Sequence, residues 1–186
     1  MSEQSFTDHF LIAMPALDDP NFQRTVTYIC EHNSNGAMGI VINRPTDVSL
    51  GELLEHTEIE TELAEVAART VFMGGPVQQD RGFVLHTPGD TWDSTLAISG
   101  QAAVTTSRDI LAAIATASGP ERFMVALGYA GWGAGQLEQE MAENAWLCGP
   151  ASADILFDLD VESRWQAAAA LLGVDLTLLS GDAGHA

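Results

Sequence analysis

The sequence of 186 residues contains no lysine, so arginine is its only strongly basic residue type. Seven arginines face 26 Asp and Glu residues, and the formal net charge is -19. A chain of this charge repels polyanions at long range, which disfavours direct binding to nucleic acid or to anionic membranes. The arginines are scattered and form no basic run; they are Arg24, Arg44, Arg69, Arg81, Arg108, Arg122 and Arg164.

Cysteine and long apolar runs are also scarce. Two cysteines cannot form a disulfide framework, which favours a reducing compartment. Apolar runs such as 10–14 and 123–127 are too short to cross a bilayer, and no basic residue precedes the first of them. A cytoplasmic location without a membrane span is therefore predicted.

Familiar catalytic and metal-binding motifs are missing. The sequence has no C-x-x-C, no H-E-x-x-H and no G-x-S-x-G, and no lysine is present to complete a phosphate-binding loop. Neither a metal site nor a cofactor is predicted, and no catalytic set is recognisable.

The composition is that of a folded protein, because 46% of the residues are hydrophobic. The length predicts one domain over 1–186. A capping box at Ser49-x-x-Glu52 starts a helix, and further helices are predicted at 107–117, at 135–144 and from a cap at Asp160 to Gly173. Strands are predicted at 70–73, 82–86, 94–98, 123–127, 145–148 and 175–179. Hairpins precede mixed elements, which predicts an α+β fold with a mixed sheet.

A hairpin at 25–43 is the clearest local signal. Asn35-Gly36 between β-prone runs predicts a type I′ turn joining strands 25–33 and 37–43. If Asn35 and Gly36 form the loop, His32 lies opposite Gly39 and Cys30 opposite Val41. Alternation of side chains along the strand then places Cys30 and His32 on one face.

Cys30 and His32 are candidate site residues because an imidazole near a thiol favours the thiolate. The alternative is a small buried hydrophobic residue beside a histidine at the end of a strand. Asn33 ends the same strand.

A second candidate is the glycine-rich segment 127–136, which contains Gly131 and Trp132. A strand-to-helix turn rich in glycine can present backbone N–H groups to an anion. Close packing of Trp132 against the backbone is the alternative.

The third candidate is formed by two arginines near strand ends. Asn43-Arg44 precedes Pro45, and Asp80-Arg81 follows the glycine turn at 74–76. Together the arginines could bind a carboxylate or a phosphate. Alternatively Arg81 pairs with Asp80 or binds the backbone.

Nine segments in order resemble the YqgE/AlgH family of bacterial proteins over essentially the whole chain. They are HFLIAMPALDDPNF (9–22), YICEHNSNGAMGIVINRP (28–45), GGPV (74–77), DRGFVLHT (80–87), TTSRD (105–109), LGYAGWGAGQLEQE (127–140), NAW (144–146), ILF (155–157) and AGHA (183–186). The resemblance implies a cytosolic protein with a single α+β domain of mixed, coiled β-sheets and flanking helices. One branch carries the name of a transcriptional regulator of alginate production, but the family supplies no catalytic residues.

Three hypotheses follow. The leading one is a binding or regulatory protein acting through an unknown small molecule or protein partner, because motif-dense loops occur without a catalytic set. The second is an enzyme that acts on a small anionic substrate through Cys30 or an Arg44/Arg81 site. The third is a nucleic-acid regulator, which the net charge disfavours. Candidate ligand-binding residues are Cys30, His32, Asn33, Asn43, Arg44, Asp80, Arg81, Gly131 and Trp132.

Overall fold

The sheet is organised around its longest strand, β9 (Phe123–Gly133), in the computed structural model, which describes residues 5–179. Strands on one side are β1 (His9–Ala13), β2 (Val26–Asn33), β3 (Gly36–Val41) and β10 (Trp146–Pro150). The others are β4 (Pro45–Ser49), β5 (Thr70–Met73), β6 (Val77–His86), β7 (Thr95–Ala97) and β8 (Ala103–Thr105). Their order is β10-β1-β2-β3-β9-β6-β8-β7, and β4 and β5 lie beside this path.

The sheet is mixed, because β5 runs parallel to β9 while the other pairs are antiparallel. With helices packed against it, this curled sheet confirms the predicted α+β class. The predicted domain bounds of 1–186 stay a prediction, and the motif at 183–186 lies outside the described residues.

Six short α-helices accompany the strands in the described residues: α1 (Leu50–His56), α2 (Ala64–Ala67), α3 (Arg108–Ala115), α4 (Gln136–Ala142), α5 (Arg164–Ala170) and α6 (Leu176–Leu179). The Ser49 side chain accepts from the N–H of Glu52, so the predicted cap of α1 is confirmed. A π-helical turn (Asp154–Asp158) and a 3-10 turn (Val161–Ser163) precede α5. The predicted cap at Asp160 is wrong, because its side chain makes no capping bond.

The predicted strand at 175–179 is also wrong. The Asp175 carboxylate accepts from the N–H and the hydroxyl of Thr177, at 3.0 and 2.6 Å, and this local bonding starts a helical turn. Strands β4 and β8 were not predicted.

Three apolar clusters hold these elements together. The largest packs strand residues such as Tyr28 and Leu85 against α5 and α6. A second packs α1 to α3 against the face that carries Val84 and Val125. A third joins Trp132 and Trp146 to Leu137 of α4 on the opposite face of β1 to β3. Side chains therefore alternate between two buried faces along the central strands.

Close backbone contact occurs where the turn between β5 and β6 meets β9. A Cβ on Gly75 would lie 2.1 Å from the Tyr129 carbonyl carbon. A Cβ on Gly128, whose φ is +78°, would lie 2.4 Å from the Gly75 carbonyl oxygen. No side chain fits at either position, which explains the glycines of both motifs.

Candidate functional site

The β2–β3 hairpin has a different turn from the predicted one. Its two loop residues are Ser34 and Asn35, and Gly36 pairs with Asn33. Neither loop residue has a positive φ, so the type I′ prediction is wrong. The Asn33 side chain accepts a hydrogen bond from the N–H of Asn35 at 2.8 Å. This Asx turn favours a loop at Ser34 and Asn35 over the predicted loop at Asn35 and Gly36.

A β-bulge at Cys30 changes which side chains share a face. Ile29 lies opposite Gly39, whereas Glu31 lies opposite Met38 and His32 opposite Ala37. The extra residue reverses the alternation. The predicted pairings of His32 with Gly39 and of Cys30 with Val41 are therefore wrong.

Cys30 and His32 consequently point to opposite faces, and the predicted thiol–imidazole site does not exist. Cys30 belongs to the largest core cluster, whereas Ala37, the neighbour of His32, packs on the third cluster. Burial, with a smaller contribution from Glu31, raises the pKa of the Cys30 thiol far above its ordinary value. Such a thiol is a poor nucleophile at neutral pH.

His32 holds the N-terminal segment against the hairpin. Its Nδ1 accepts from the Phe6 N–H at 2.9 Å, so its Nε2 carries the proton and donates to Glu138 at 2.7 Å. The ring stacks on Phe6, with 5.1 Å between ring centroids. A cavity of about 620 Å³ adjoins this contact, and Asn33 lines its rim. Because both ring nitrogens are bonded, His32 acts here as a tether.

The glycine-rich segment is mostly strand. β9 continues to Gly133, and Gly131 pairs with Met38 of β3. Only Ala134 and Gly135 lie between this strand and α4. Gly131 and Trp132 therefore lie in a strand and not in the predicted turn, and the alternative, packing of Trp132, agrees with its place in the third cluster.

Asn43 and Arg44 bind backbone. The Asn43 side chain accepts from the Val26 N–H and donates to the Arg24 carbonyl, both at 2.9 Å. The guanidinium of Arg44 donates to the carbonyls of Pro20 and Gln23, at 2.6 and 3.1 Å. These bonds fix the loop before β2, so Arg44 has a structural role.

Arg81 lies in a different place, beside an open cleft of about 590 Å³ that we call the Arg81 cleft. Neither Arg44 nor Asp80 lines it, so the predicted Arg44/Arg81 site does not form. Asp80 is exposed, and no ion pair between Asp80 and Arg81 occurs in the described part of the chain. The cleft is lined by Ala37, Met38, Val77, Gln78, Arg81, Phe83, Tyr129, Gly131 and Trp132.

The cleft combines an aromatic wall with one weakly bound cation. The Arg81 guanidinium lies 5.7 Å from the centroid of the Phe83 ring. Its hydrogen bonds to Gln78 and Thr106 are long, at 3.4 and 3.3 Å. Tyr129 meets Phe83 edge to face, with ring centroids 5.6 Å apart. An arginine placed over an aromatic ring suits a flat or apolar ligand with an anionic group.

Local backbone irregularity opens this cleft. The β6–β9 register shifts between Val77 and Gly82, and residues 77–81 are exposed. Gln78 has a φ of +50°, an unfavourable conformation for a residue with a side chain. A Cβ on Gly131 would meet only the Tyr129 ring, at 3.4 Å, so this glycine leaves space in the cleft.

Of the residues that line the Arg81 cleft, the sequence predicted Arg81, Gly131 and Trp132 as candidates, but not Phe83, Tyr129 or Met38. Phe83 and Tyr129 lie within the motifs at 80–87 and 127–140, two residues from Arg81 and Gly131 respectively. Side chains two residues apart on a strand lie on the same face, so this spacing could have identified Phe83 and Tyr129 as neighbours of Arg81 and Gly131. Met38 depends on the hairpin register, which the sequence did not reveal.

The described residues show no further kind of site. Among residues 5–179, no three His, Cys, Asp or Glu side chains are grouped to hold a metal ion. Within the same range, no helix has the length and apolarity that a membrane crossing requires.

Comparison with known proteins identifies the family. The AlgH-like family model, DUF179, matches residues 10–177. A UPF0301 protein of Thioalkalivibrio sulfidiphilus is 64% identical over 185 residues, covering 100% of this chain and 99% of the relative. A UPF0301 protein of Nitrosococcus oceani is 58% identical over 181 residues, covering 97% of each.

Two solved structures share the fold. The solution structure of the AlgH protein from Pseudomonas aeruginosa has a TM-score of 0.81 and 53% identity, covering 100% of this chain and 98% of its own. A crystal structure of a Corynebacterium diphtheriae protein has a TM-score of 0.72 at 19% identity, covering 96% and 93%. The chain belongs to the AlgH-like family, as its motifs predicted.

Proposed function

We propose that this chain is a cytoplasmic binding protein whose ligand is a small apolar or aromatic molecule with one anionic group. The observation that carries the proposal is the Arg81 guanidinium, which lies over Phe83 at an open cleft and has only long hydrogen bonds. In this site Arg81 binds the anionic group, while Tyr129 and Met38 contact the apolar body.

The other arginines strengthen this assignment because five of the seven are bound within the fold. Arg44, Arg69, Arg108 and Arg164 donate to backbone carbonyls, and Arg122 pairs with two aspartates. In the described residues, only Arg24 and Arg81 have guanidinium groups without a close hydrogen-bonded partner.

The small number of free arginines also bears on how such a binding protein could act as a regulator. Binding to duplex DNA normally requires several phosphate contacts, and a chain of net charge -19 has few free cations to supply them. We therefore propose that regulation runs through the occupied cleft and its effect on a protein partner. A salt titration with duplex DNA should show no binding at low salt, and measurable binding there would contradict this part.

The burial of Cys30 argues against the alternative in which this chain is an enzyme with Cys30 as its nucleophile. Cys30 is 2% exposed, and its thiol pKa is strongly raised. Alkylation of the folded protein at increasing pH should modify Cys148 first, because burial raises the pKa of that half-buried thiol only to about 11. Rapid modification of Cys30 near neutral pH would restore this alternative.

The binding proposal is tested with 1-anilinonaphthalene-8-sulfonate, a probe that carries one anionic group on an aromatic body. Titration followed by backbone amide NMR should shift the signals of Met38, Gly131 and Trp132. Arg81→Gln should weaken binding about tenfold, the value of one lost charge-assisted contact. Gly131→Leu should abolish binding by filling the cleft.

Arg108→Gln is the matched control, because it removes the same charge from a residue that does not line the cleft. It should bind the probe as the unmodified protein does. Equal weakening by both arginine variants, or shifts confined to exposed leucines such as Leu178, would overturn the proposal.

A further inference from the structure

A second cavity, of about 430 Å³, lies between the ends of the β2–β3 hairpin and the start of α5. We call it the Arg24 cavity. None of its lining residues lines the Arg81 cleft, so the two are independent. Its lining residues are Arg24, Asn43, Pro45, Val161, Glu162, Trp165 and Gln166.

Arg24 is held in place by its backbone. Its φ is +57°, and this left-handed conformation is unfavourable in free energy for any residue that has a side chain. The Asn43 side chain donates to the Arg24 carbonyl at 2.9 Å and thereby supports this conformation. The Arg24 side chain therefore lines the cavity from a strained backbone position that the hydrogen bond from Asn43 supports.

The Arg24 guanidinium rests on an indole and keeps its donors free. It lies 5.5 Å from the centroid of the Trp165 ring. Trp165 is itself fixed, because its Nε1 donates to the Ala13 carbonyl at 3.0 Å. Among residues 5–179 the guanidinium has no hydrogen bond and no carboxylate oxygen within 4.0 Å. An arginine stacked in this way can still bind a carboxylate through both of its terminal nitrogens.

The cavity also contains an unpaired acidic group of opposite charge. Glu162 lines the same space, and no ion pair joins it to Arg24 in the described residues. A ligand with a single charge would leave one of these two side chains, Arg24 or Glu162, without a partner. A ligand that carries both charges can satisfy both side chains.

The remaining walls are mostly apolar, since Pro45, Val161 and the Trp165 ring line the cavity. Its volume falls within the range of small-molecule sites, about 300–1,000 Å³. We propose that the Arg24 cavity binds an apolar α-amino acid. Arg24 binds the carboxylate, Glu162 binds the ammonium group, and the apolar side chain packs on the Trp165 indole.

Isothermal titration calorimetry with L-leucine tests this proposal in the Gly131→Leu variant, whose Arg81 cleft is filled, with two analogues that each lack one charge. L-Leucine should bind, whereas 4-methylpentanoate, which lacks the ammonium group, and 3-methylbutylamine, which lacks the carboxylate, should each bind at least about tenfold more weakly. Equal binding of 4-methylpentanoate would overturn the zwitterion assignment, and no heat from L-leucine at millimolar concentration would overturn the site.

Two variants locate the binding. Arg24→Gln and Glu162→Gln should each weaken L-leucine binding about tenfold. Glu162 makes no hydrogen bond through its side chain to a described residue, so Glu162→Gln should leave unfolding by urea unchanged and keep the test interpretable if Arg24→Gln fails to fold. Arg108→Gln, at a residue that lines neither cavity, is the control and should bind L-leucine normally. Unchanged affinity in Glu162→Gln, or an equal loss in Arg108→Gln, would contradict the proposal.

Discussion

The two halves of β6 differ in almost every physical respect although they belong to one strand. The first half, 77–81, is exposed, bulges away from β9 and ends at the Arg81 cleft. The second half, 82–86, pairs with both β8 and β9 and becomes buried at Phe83. Strand pairing and core packing therefore hold the second half of β6 in place, and the first half can present its side chains to solvent.

The largest expected effect comes from the buried half. Leu85 is fully buried in the main core cluster, so Leu85→Ala should reduce the free energy of unfolding by about 2–5 kcal/mol. Val77→Ala, on the exposed half, should cost less than about 1 kcal/mol. Urea unfolding of both variants measures the contrast, and equal losses would show that the halves are equally packed.

An intermediate change in the free energy of unfolding is expected when the pH is lowered. His86 is 1% exposed; its Nδ1 donates to the Thr87 carbonyl at 2.9 Å, and its Nε2 accepts from the Thr105 hydroxyl at 2.7 Å. Burial lowers the pKa of His86 below 6.5, despite the Thr87 bond, which acts in the opposite direction. The unfolded chain therefore binds a proton at a higher pH than the folded one.

The lowered pKa of His86 determines how stability depends on pH. The contribution of His86 to stability is fully present above pH 6.5 and is lost as the pH falls from there through its lowered folded pKa. His86→Gln should be less stable at pH 8, but the difference from the unmodified protein should shrink as the pH falls to 5. Val77→Ala, which removes no ionisable group, should show no such change. A pH-independent difference for His86→Gln would mean that His86 does not titrate in this way.

The smallest effect on stability belongs to the cleft itself. Because Arg81 is exposed and its hydrogen bonds are long, Arg81→Gln should change the free energy of unfolding by less than about 0.5 kcal/mol. Arg44→Gln should cost about 1–2 kcal/mol, since it removes two bonds from a charged group to backbone carbonyls. A larger loss for Arg81→Gln in thermal unfolding would make Arg81 a structural arginine like Arg44.

Arg44 and Arg81 also show how much of the candidate site could be predicted from the sequence. Arg44 and Arg81 lie in comparable settings along the chain, because Arg44 precedes Pro45, Arg81 precedes Gly82, and each stands at the end of a predicted strand. Only the fold shows that Arg44 reaches the carbonyls of Pro20 and Gln23, whereas Arg81 faces a cleft. Such long-range partners leave no periodic trace in the sequence.

The hairpin shows the limit most clearly. Alternation and the Asn-Gly pair predicted two strands and a turn, and both strands are present. A shift of one residue in the loop and a bulge at Cys30 then reversed the face of His32. Since neighbouring side chains on a strand alternate, one extra residue is enough to separate a predicted pair.

Local propensity, periodicity and the order of the motifs were enough to predict the family, the α+β class, the cap of α1 and the position of most strands. The strand register, the continuation of β9 through its glycines and the identity of the free arginines became visible only in the folded chain. Those outcomes depend on packing and hydrogen bonds between residues far apart in the chain, and local patterns do not encode them.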